Sequence, residues 1–248
     1  MEKVNILGVL VDKISAEEAS CKIMEMLKED RPHSVFTPNS EIIFMAYKDS
    51  EFREILINAD ILSADGIGVV YASKILKNPI KNRAAGYDIA CLLIEKAEKS
   101  AHRLFLFGGK EGVAEAAKEN LEKKYPFLQI VGTHNGYFKP EEESEIIQKI
   151  NDSKADIVFV CLGAPAQERW IARCADKTSA RVFMGIGGSL DVFAGTAERA
   201  PKFWCDMGLE WLYRLIKQPW RFWRMLALPK FAITVFLKGR KFTQPETK

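Results

Sequence analysis

The sequence predicts an α/β chain: a Rossmann-like, doubly wound and mainly parallel sheet, followed by a C-terminal appendage of short amphipathic helices. Two observations carry the first half. Short apolar runs alternate with stretches of helical spacing up to about residue 195, and parallel strands buried on both faces read as such runs. Most runs also stop in a turn rich in Gly, Pro, Asp or Asn, which feeds a strand into a crossover helix. The third observation is a change of composition beyond Gly195, where Trp, Tyr and Phe interleave with Arg and Lys.

Taken in order, residues 4–11 read as the first strand, and Ser15-Ala-Glu-Glu18 is a capping box opening a helix to about Asp30. His33-Ser-Val-Phe-Thr37 is the next strand and stops at Pro38, which cannot donate to a sheet ladder. Asn39 or Ser40 then caps a helix carrying Ile42, Ile43, Met45 and Ala46. The apolar run from Ile61 ends in Asp65-Gly66-Ile67-Gly68 before helical spacing resumes to about Leu76. A loop with three cations, Lys77, Lys81 and Arg83, precedes a helix from about Tyr87 to Lys99. Strands follow at 103–107, 128–132, 156–161 and 182–186, separated by helices ending near Tyr125, opening at Pro140, and carrying Gln167, Glu168 and Arg169. Beyond Thr196, Leu209, Leu212, Leu215 and Ile216 share one helical face, and Pro219 and Pro229 are expected to cut the segment into short helices. Two units are therefore expected, an α/β body at 1–195 and an appendage at 196–248.

Length and composition bound the function. At 248 residues, 48% hydrophobic and 28% charged, the chain can bury a sizeable core. Five cysteines without a C-x-x-C spacing, and three histidines, suit a reducing compartment and argue against a zinc site. The opening Met-Glu-Lys-Val-Asn lacks a basic segment followed by an apolar run, so no signal peptide is expected, and no uncharged apolar window reaches membrane-spanning length. The net charge of +3 conceals an asymmetry. Residues 196–248 hold eleven Lys or Arg against four acids, a net +7, which leaves −4 on residues 1–195. A basic tail on a mildly acidic body implies a polyanionic partner: a membrane surface, a phosphorylated substrate or nucleic acid.

Asp65 is the first candidate for chemistry. In an open α/β sheet, substrates bind at the carboxyl ends of the strands, and a carboxylate placed there faces them. Asp and Gly are also ordinary turn and cap residues, so position alone leaves both readings open. Gly66-Ile-Gly68 is followed by Tyr71 where a dinucleotide fingerprint needs Gly or Ala, and Asp88 falls at a helix start, so NAD is disfavoured. Gly108-Gly109-Lys110 lacks the spacing of a triphosphate loop. It and Gly187-Gly188-Ser189 offer either backbone amides to a phosphate or plain turns. There is no Asp-x-Asp pair to hold a divalent metal, so cations such as Arg83 or the tail arginines would have to offset a diphosphate. The aromatic and basic tail suits a membrane interface, with nucleic acid the weaker match and a helical cap docked on the sheet the structural alternative.

Thr37-Pro-Asn39, Ser63-Ala-Asp65-Gly66, Arg83 before Gly86, Phe107-Gly108-Gly109, Leu162-Gly163-Ala-Pro165-Ala-Gln167-Glu168, Gly185-Ile-Gly187-Gly188, and Ala200-Pro201-Lys202 followed by Gly208-Leu209-Glu210-Trp211-Leu212-Tyr213-Arg214 together resemble the motif series of the TagA/WecG/CpsF glycosyltransferases. The resemblance covers nearly the whole chain in matching order. It implies transfer of a sugar from a UDP donor onto an undecaprenyl-diphosphate-linked sugar. In the TagA branch this is N-acetylmannosamine moving to the 4-hydroxyl of lipid-linked N-acetylglucosamine in wall teichoic acid synthesis. By the same resemblance Asp65 matches the base, and Thr37, Asn39, Arg83 and Gln167 the active-site polar set. Gly108, Gly109, Gly163, Gly187, Gly188 and Asp191, with Arg214, Arg221 and Arg224 of the tail, make up the expected substrate-binding set. The tail matches a membrane-targeting appendage on an anionic inner leaflet. No cofactor, no metal and no nucleic acid is expected, the enzyme being peripheral on the cytoplasmic face of the bacterial membrane. Oligomeric state is left open. Runner-up readings are a Rossmann-type phosphosugar or nucleotide-binding enzyme and a noncatalytic membrane-associated module.

Overall fold

The computed structural model describes residues 1–217, 219 and 222–242, without the side chains of Lys202, Asp206, Arg214 and Arg224. The expected single strand at 4–11 is a hairpin, β1 (Lys3–Ile6) and β2 (Val9–Asp12), paired antiparallel. Leu7 and Gly8 form its two-residue turn with φ of 54° and 91°, and positive φ at both positions matches the twist of a hairpin. The Gly8 N–H donates to Asn5 Oδ1 at 2.8 Å. Val4, Ile6, Leu7, Val9 and Val11 are all buried, so the apolar run is continuous through the turn and hydropathy hides it.

The chain then passes through α1 (Ala16–Met26), β3 (His33–Phe36), α2 (Ser40–Lys48), α3 (Ser50–Ile57), β4 (Ile61–Leu62), α4 (Ile67–Ile75) and α5 (Gly86–Ser100). It continues through β5 (Arg103–Gly108), α6 (Val113–Lys124), β6 (Gln129–His134), α7 (Glu143–Ser153), β7 (Ile157–Cys161), α8 (Ala166–Cys174), β8 (Val182–Gly185) and α9 (Ser189–Phe193). The Ser15 capping box is present. The helix expected from residue 39 is α2, capped by Asn39, and α3 follows it at once because Asp49 caps a new start, its Oδ1 accepting from Phe52 N at 3.0 Å.

Six strands make one parallel sheet in the order β4-β3-β8-β7-β5-β6. Helices cover both faces, and the pleat divides each strand between them. Leu104 and Leu106 of β5 join the layer under α1, α5, α6 and α9, whereas Phe105 and Phe107 join the layer with Trp170, Phe183 and Phe36. Each fully buried side chain of this size contributes about 1.5–3 kcal/mol. The hairpin flanks the β4 edge, where Asp12 Oδ2 accepts from Leu62 N at 2.8 Å and a bridge joins Asp12 to Ser63.

The C-terminal segment is helical: α10 (Lys202–Asp206), α11 (Glu210–Lys217), α12 (Phe222–Met225) and α13 (Ala227–Lys238). Pro219 lies between α11 and α12. Pro229 does not interrupt a helix, because it lies in the first turn of α13, where a backbone N–H has no intrahelical partner to lose. Helix α13 packs on α2 and α4, burying Phe231 and Val235 in the same core layer as Phe44, Ala72 and Leu76. No helix among the described residues is long and apolar enough to cross a membrane.

Candidate active site

A cleft of about 590 Å3 opens over the carboxyl ends of the four neighbouring strands β4, β3, β8 and β7, and Thr37, Asn39, Asp65, Arg83, Gly163, Gln167, Gly187 and Gly188 all line it. Its size falls in the range of small-molecule sites, roughly 300–1,000 Å3. Thr37 and Asn39 follow β3 and Asp65 follows β4. The two turns are tied together where Asp65 N–H donates to Pro38 O at 3.1 Å. Asn39 also caps α2, its Oδ1 accepting from Ile42 N at 3.0 Å. Glycine is demanded at two positions by close approach. A Cβ on Gly68 would lie 2.2 Å from Ser40 Oγ, and one on Gly86 would lie 2.5 Å from Thr37 Oγ1. The loop carrying Arg83 is pinned beside Asp65 by Ser63 Oγ–H donating to Ala84 O and by Ala84 N–H donating to Ala64 O, at 3.0 and 2.9 Å.

Gln167 is the hub on the other wall. Its amide N–H donates to Glu168 Oε1 at 2.8 Å, and its Oε1 accepts from Gly187 N at 3.1 Å. Glu168 thus holds Gln167, and Gln167 holds the Gly187-Gly188 turn after β8. Burial pushes the Glu168 carboxyl above its ordinary range, with the Gln167 hydrogen bond opposing it. Gly185 leaves the room this needs, since a Cβ there would come within 2.8 Å of Gln167 Nε2.

Charge is concentrated on the wall formed by α5, the Arg83 loop and the C-terminal segment. Arg83 Nη1 donates to Glu210 Oε2 at 2.6 Å, and its Nη2 lies 3.7 Å from Asp88 Oδ2. Arg199 Nη2 donates to the other Asp88 oxygen at 2.5 Å, and its guanidinium lies 4.4 Å from the Tyr87 ring centroid. Burial would lower the Arg83 pKa, but Glu210, Asp65 and Asp88 outweigh it and the net shift is upward. Burial raises the Tyr87 hydroxyl to about 12.

Three expected residues do not line the cleft: Gly108, Gly109 and Asp191. Gly108 is a close contact between strands, because a Cβ there would lie 2.4 Å from Cys161 O, and Gly109 N–H donates to that same oxygen at 3.2 Å. Of the tail cations, Arg221 and the side chains of Arg214 and Arg224 lie outside the described residues. Conversely, Ser40, Tyr87, Arg199 and Glu210 line the cleft without having been singled out by spacing. Arg199 counted only toward the tail's charge, and Asp88, discounted as a helix-start acid, bridges the two arginines.

A cleft at the strand ends of a parallel sheet, with a strand-end carboxylate acting on Arg83 and a second guanidinium, Arg199, on the same lining, defines the class: an enzyme-type α/β site for a polar, anionic ligand. The chain matches the Glycosyl transferase WecG/TagA/CpsF family over residues 4–245 and belongs to that family. Among curated proteins it is 39% identical over 207 residues to the N-acetylglucosaminyldiphosphoundecaprenol N-acetyl-beta-D-mannosaminyltransferase of Bacillus subtilis (strain 168), covering 84% of this chain and 80% of that protein. It is 37% identical to the Bacillus spizizenii protein of the same name (strain ATCC 23059 / NRRL B-14472 / W23), covering 88% and 84%. A Staphylococcus aureus (strain MRSA252) protein, again of that name, is 33% identical over 241 residues, covering 96% and 94%.

Proposed function

We propose that the chain is an inverting glycosyltransferase that moves N-acetylmannosamine from UDP to the 4-hydroxyl of undecaprenyl-diphosphate-linked N-acetylglucosamine, forming a β-linked disaccharide lipid. The observation that carries the reading is kinship: relatives bearing that activity in their names share 33–39% identity across most of both chains. In the reaction the acceptor O4 attacks the anomeric carbon of the donor, the carbon–oxygen bond to the β-phosphate breaks, and UDP leaves with the electron pair. Asp65 takes the hydroxyl proton as general base from its place at the end of β4. Arg83 offsets charge on the leaving diphosphate. Thr37, Asn39 and Gln167 orient the sugars; Asn39 retains its amide N–H groups for this while its Oδ1 caps α2. Gly163, Gly187 and Gly188 present backbone to the substrate without side chains in the way. Arg214, Arg221 and Arg224 add cations from the appendage, and Gly108, Gly109 and Asp191 stand further along the same strand ends.

The body at 1–195 carries the chemistry, and the appendage at 196–248 brings it to the lipid. Exposed Trp211, Phe222, Trp223 and Phe236, among basic residues, suit the headgroup region of an anionic inner leaflet, so the enzyme works as a peripheral protein on the cytoplasmic face. Incubating the full chain with radiolabelled UDP-N-acetylhexosamines and a short-chain lipid-diphosphate acceptor tests the reading. Transfer from the N-acetylmannosamine donor is expected. Transfer from another epimer alone, or from none, overturns it. EDTA should leave the rate unchanged, since two described guanidiniums line the cleft to meet the diphosphate; a loss restored by magnesium or manganese refutes that metal-free route.

A further inference from the structure

The charged wall of the cleft poses a problem of sign. Among the described residues lining the cleft, Arg83 and Arg199 are the cationic side chains, so a diphosphate entering it meets one or both. Neither presents an open charge. Arg83 is bound by Glu210 at 2.6 Å, and Arg199 by Asp88 at 2.5 Å. Asp65 faces the same cluster, its charge acting on Arg83. Among the described side chains of this cluster, the two cations face the three carboxylates Glu210, Asp88 and Asp65. A diphosphate must therefore take the place of a carboxylate to reach either guanidinium.

The partners are not equivalent. Asp88 sits in the first turn of α5, a helix of the body, and spans both arginines with its two oxygens, so it fixes their spacing. Glu210 comes from the first turn of α11, is bonded to Arg83, and is part of the wall through a flexible side chain. Arg83 and Glu210 are 17% and 16% exposed, dry enough for their pairing to count and open enough to the cleft for a ligand to compete. The Arg199 guanidinium lies over the Tyr87 ring and on Asp88, so it is held in place from two sides. Removing Glu210 from Arg83 brings the cluster to two cations and two acids, with one guanidinium edge opened.

We propose that Arg83 and Arg199 form a two-guanidinium diphosphate site braced by Asp88, and that Glu210 occupies it until a diphosphate takes its place. Arg199 thereby becomes a binding residue, and Glu210 a ligand-mimicking carboxylate that exchanges with the substrate. The inference rests on the proposed reaction for its choice of UDP as the first probe. The lipid acceptor carries a diphosphate too, and the two sources are separable by experiment.

Equilibrium binding to the full chain, with no turnover, reads the site directly. UDP and a short-chain prenyl diphosphate-linked N-acetylglucosamine are titrated separately into wild type, Arg199→Gln, Arg199→Lys and Glu210→Gln. Arg199→Gln is expected to weaken UDP by about tenfold to a hundredfold, the worth of a charge-assisted hydrogen bond. Arg199→Lys should fall between, because it keeps charge but loses the planar fork. Glu210→Gln should tighten UDP several-fold, the opposite sign to that of a merely structural joint. Melting temperature measured in parallel separates loss of fold from loss of site. A loss confined to the acceptor analogue keeps the diphosphate site and assigns it to the acceptor. Unchanged affinity for both ligands in Arg199→Gln, or weaker UDP binding in a folded Glu210→Gln, overturns the proposal. Failure of sugar transfer with this binding order intact would strike the proposed reaction and leave the site standing.

Discussion

The body and the C-terminal segment handle apolar surface in opposite ways. Large exposed apolar side chains number six across residues 1–195, against ten across the far shorter described part of the segment. In the body they are scattered, as on any soluble surface. In the segment they cluster on α11 to α13, with Trp223 at 78% and Phe236 at 73% exposure. Yet the segment is not merely appended: Phe231 and Val235 enter the core layer, and Glu210 reaches Arg83 in the cleft. One face of the segment completes the body while the other is left for something outside it.

The largest effect expected isolates the chemistry in the body. Asp65→Asn keeps shape and removes basicity, so kcat should fall about 10² to 10⁴-fold while sedimentation with anionic vesicles stays as in wild type. A rate within twofold of wild type would take Asp65 out of the mechanism, and a joint loss of vesicle binding would dissolve the division between the regions.

Next comes the seam. Phe231→Ala removes a buried ring between α13, α2 and α4, a change that typically costs about 3–5 kcal/mol. At about 2–4 °C per kcal/mol for a chain of this size, the melting temperature should drop by roughly 10 °C. A chain ending at Gly195 keeps its sheet pattern and should fold, but with the seam face of α2 and α4 uncovered it should melt lower and bind more hydrophobic dye than the full chain. An unchanged melting temperature in both would make the segment a passenger.

Both regions were legible in the sequence to different depths. The parallel strands were readable because both faces are buried, which turns Ile157 to Cys161 into an unbroken apolar run ending in Gly and Pro. Thr37, Asn39 and Asp65 could be gathered from their places after such runs. The β1–β2 hairpin was hidden because a buried Leu7 occupies its turn, and the Arg83–Glu210 and Arg199–Asp88 pairs join residues 127 and 111 positions apart. No local spacing encodes a pair of that kind. Folding the C-terminal segment back over the strand ends creates it.

A smaller effect belongs to the outward face. Trp223→Ser with Phe236→Ser touches exposed rings, so stability should change by no more than about 0.5 kcal/mol for each. Vesicle binding should weaken about thirtyfold, since each of the two rings immersed in the headgroup boundary contributes on the order of 1 kcal/mol, well under the value for full burial. Sedimentation equal to wild type would return these rings to the class of incidental surface.

The smallest expected effect lies behind the cleft lining, at Glu168, which holds Gln167 from within the fold. Its side chain is buried, Oε1 accepts from Gln167, and Oε2 has no hydrogen-bond partner among the described residues. Burial raises its pKa, so the folded chain holds this proton more tightly than the unfolded chain does. Stability from that source is full below the ordinary carboxylate value and is lost as pH rises through the raised one. Glu168→Gln keeps the oxygen that meets Gln167 and cannot ionise, so its melting temperature should decline less than wild type's between pH 5 and pH 8. The gap should stay within a few degrees, because one group contributes it. Parallel melting curves for the two proteins would show that Glu168 carries no such proton. A steep loss of Gln167-dependent sugar transfer in Glu168→Gln, with melting unchanged, would instead move the residue from the support of the site to its chemistry, and with it the line drawn here between what the body builds and what it uses.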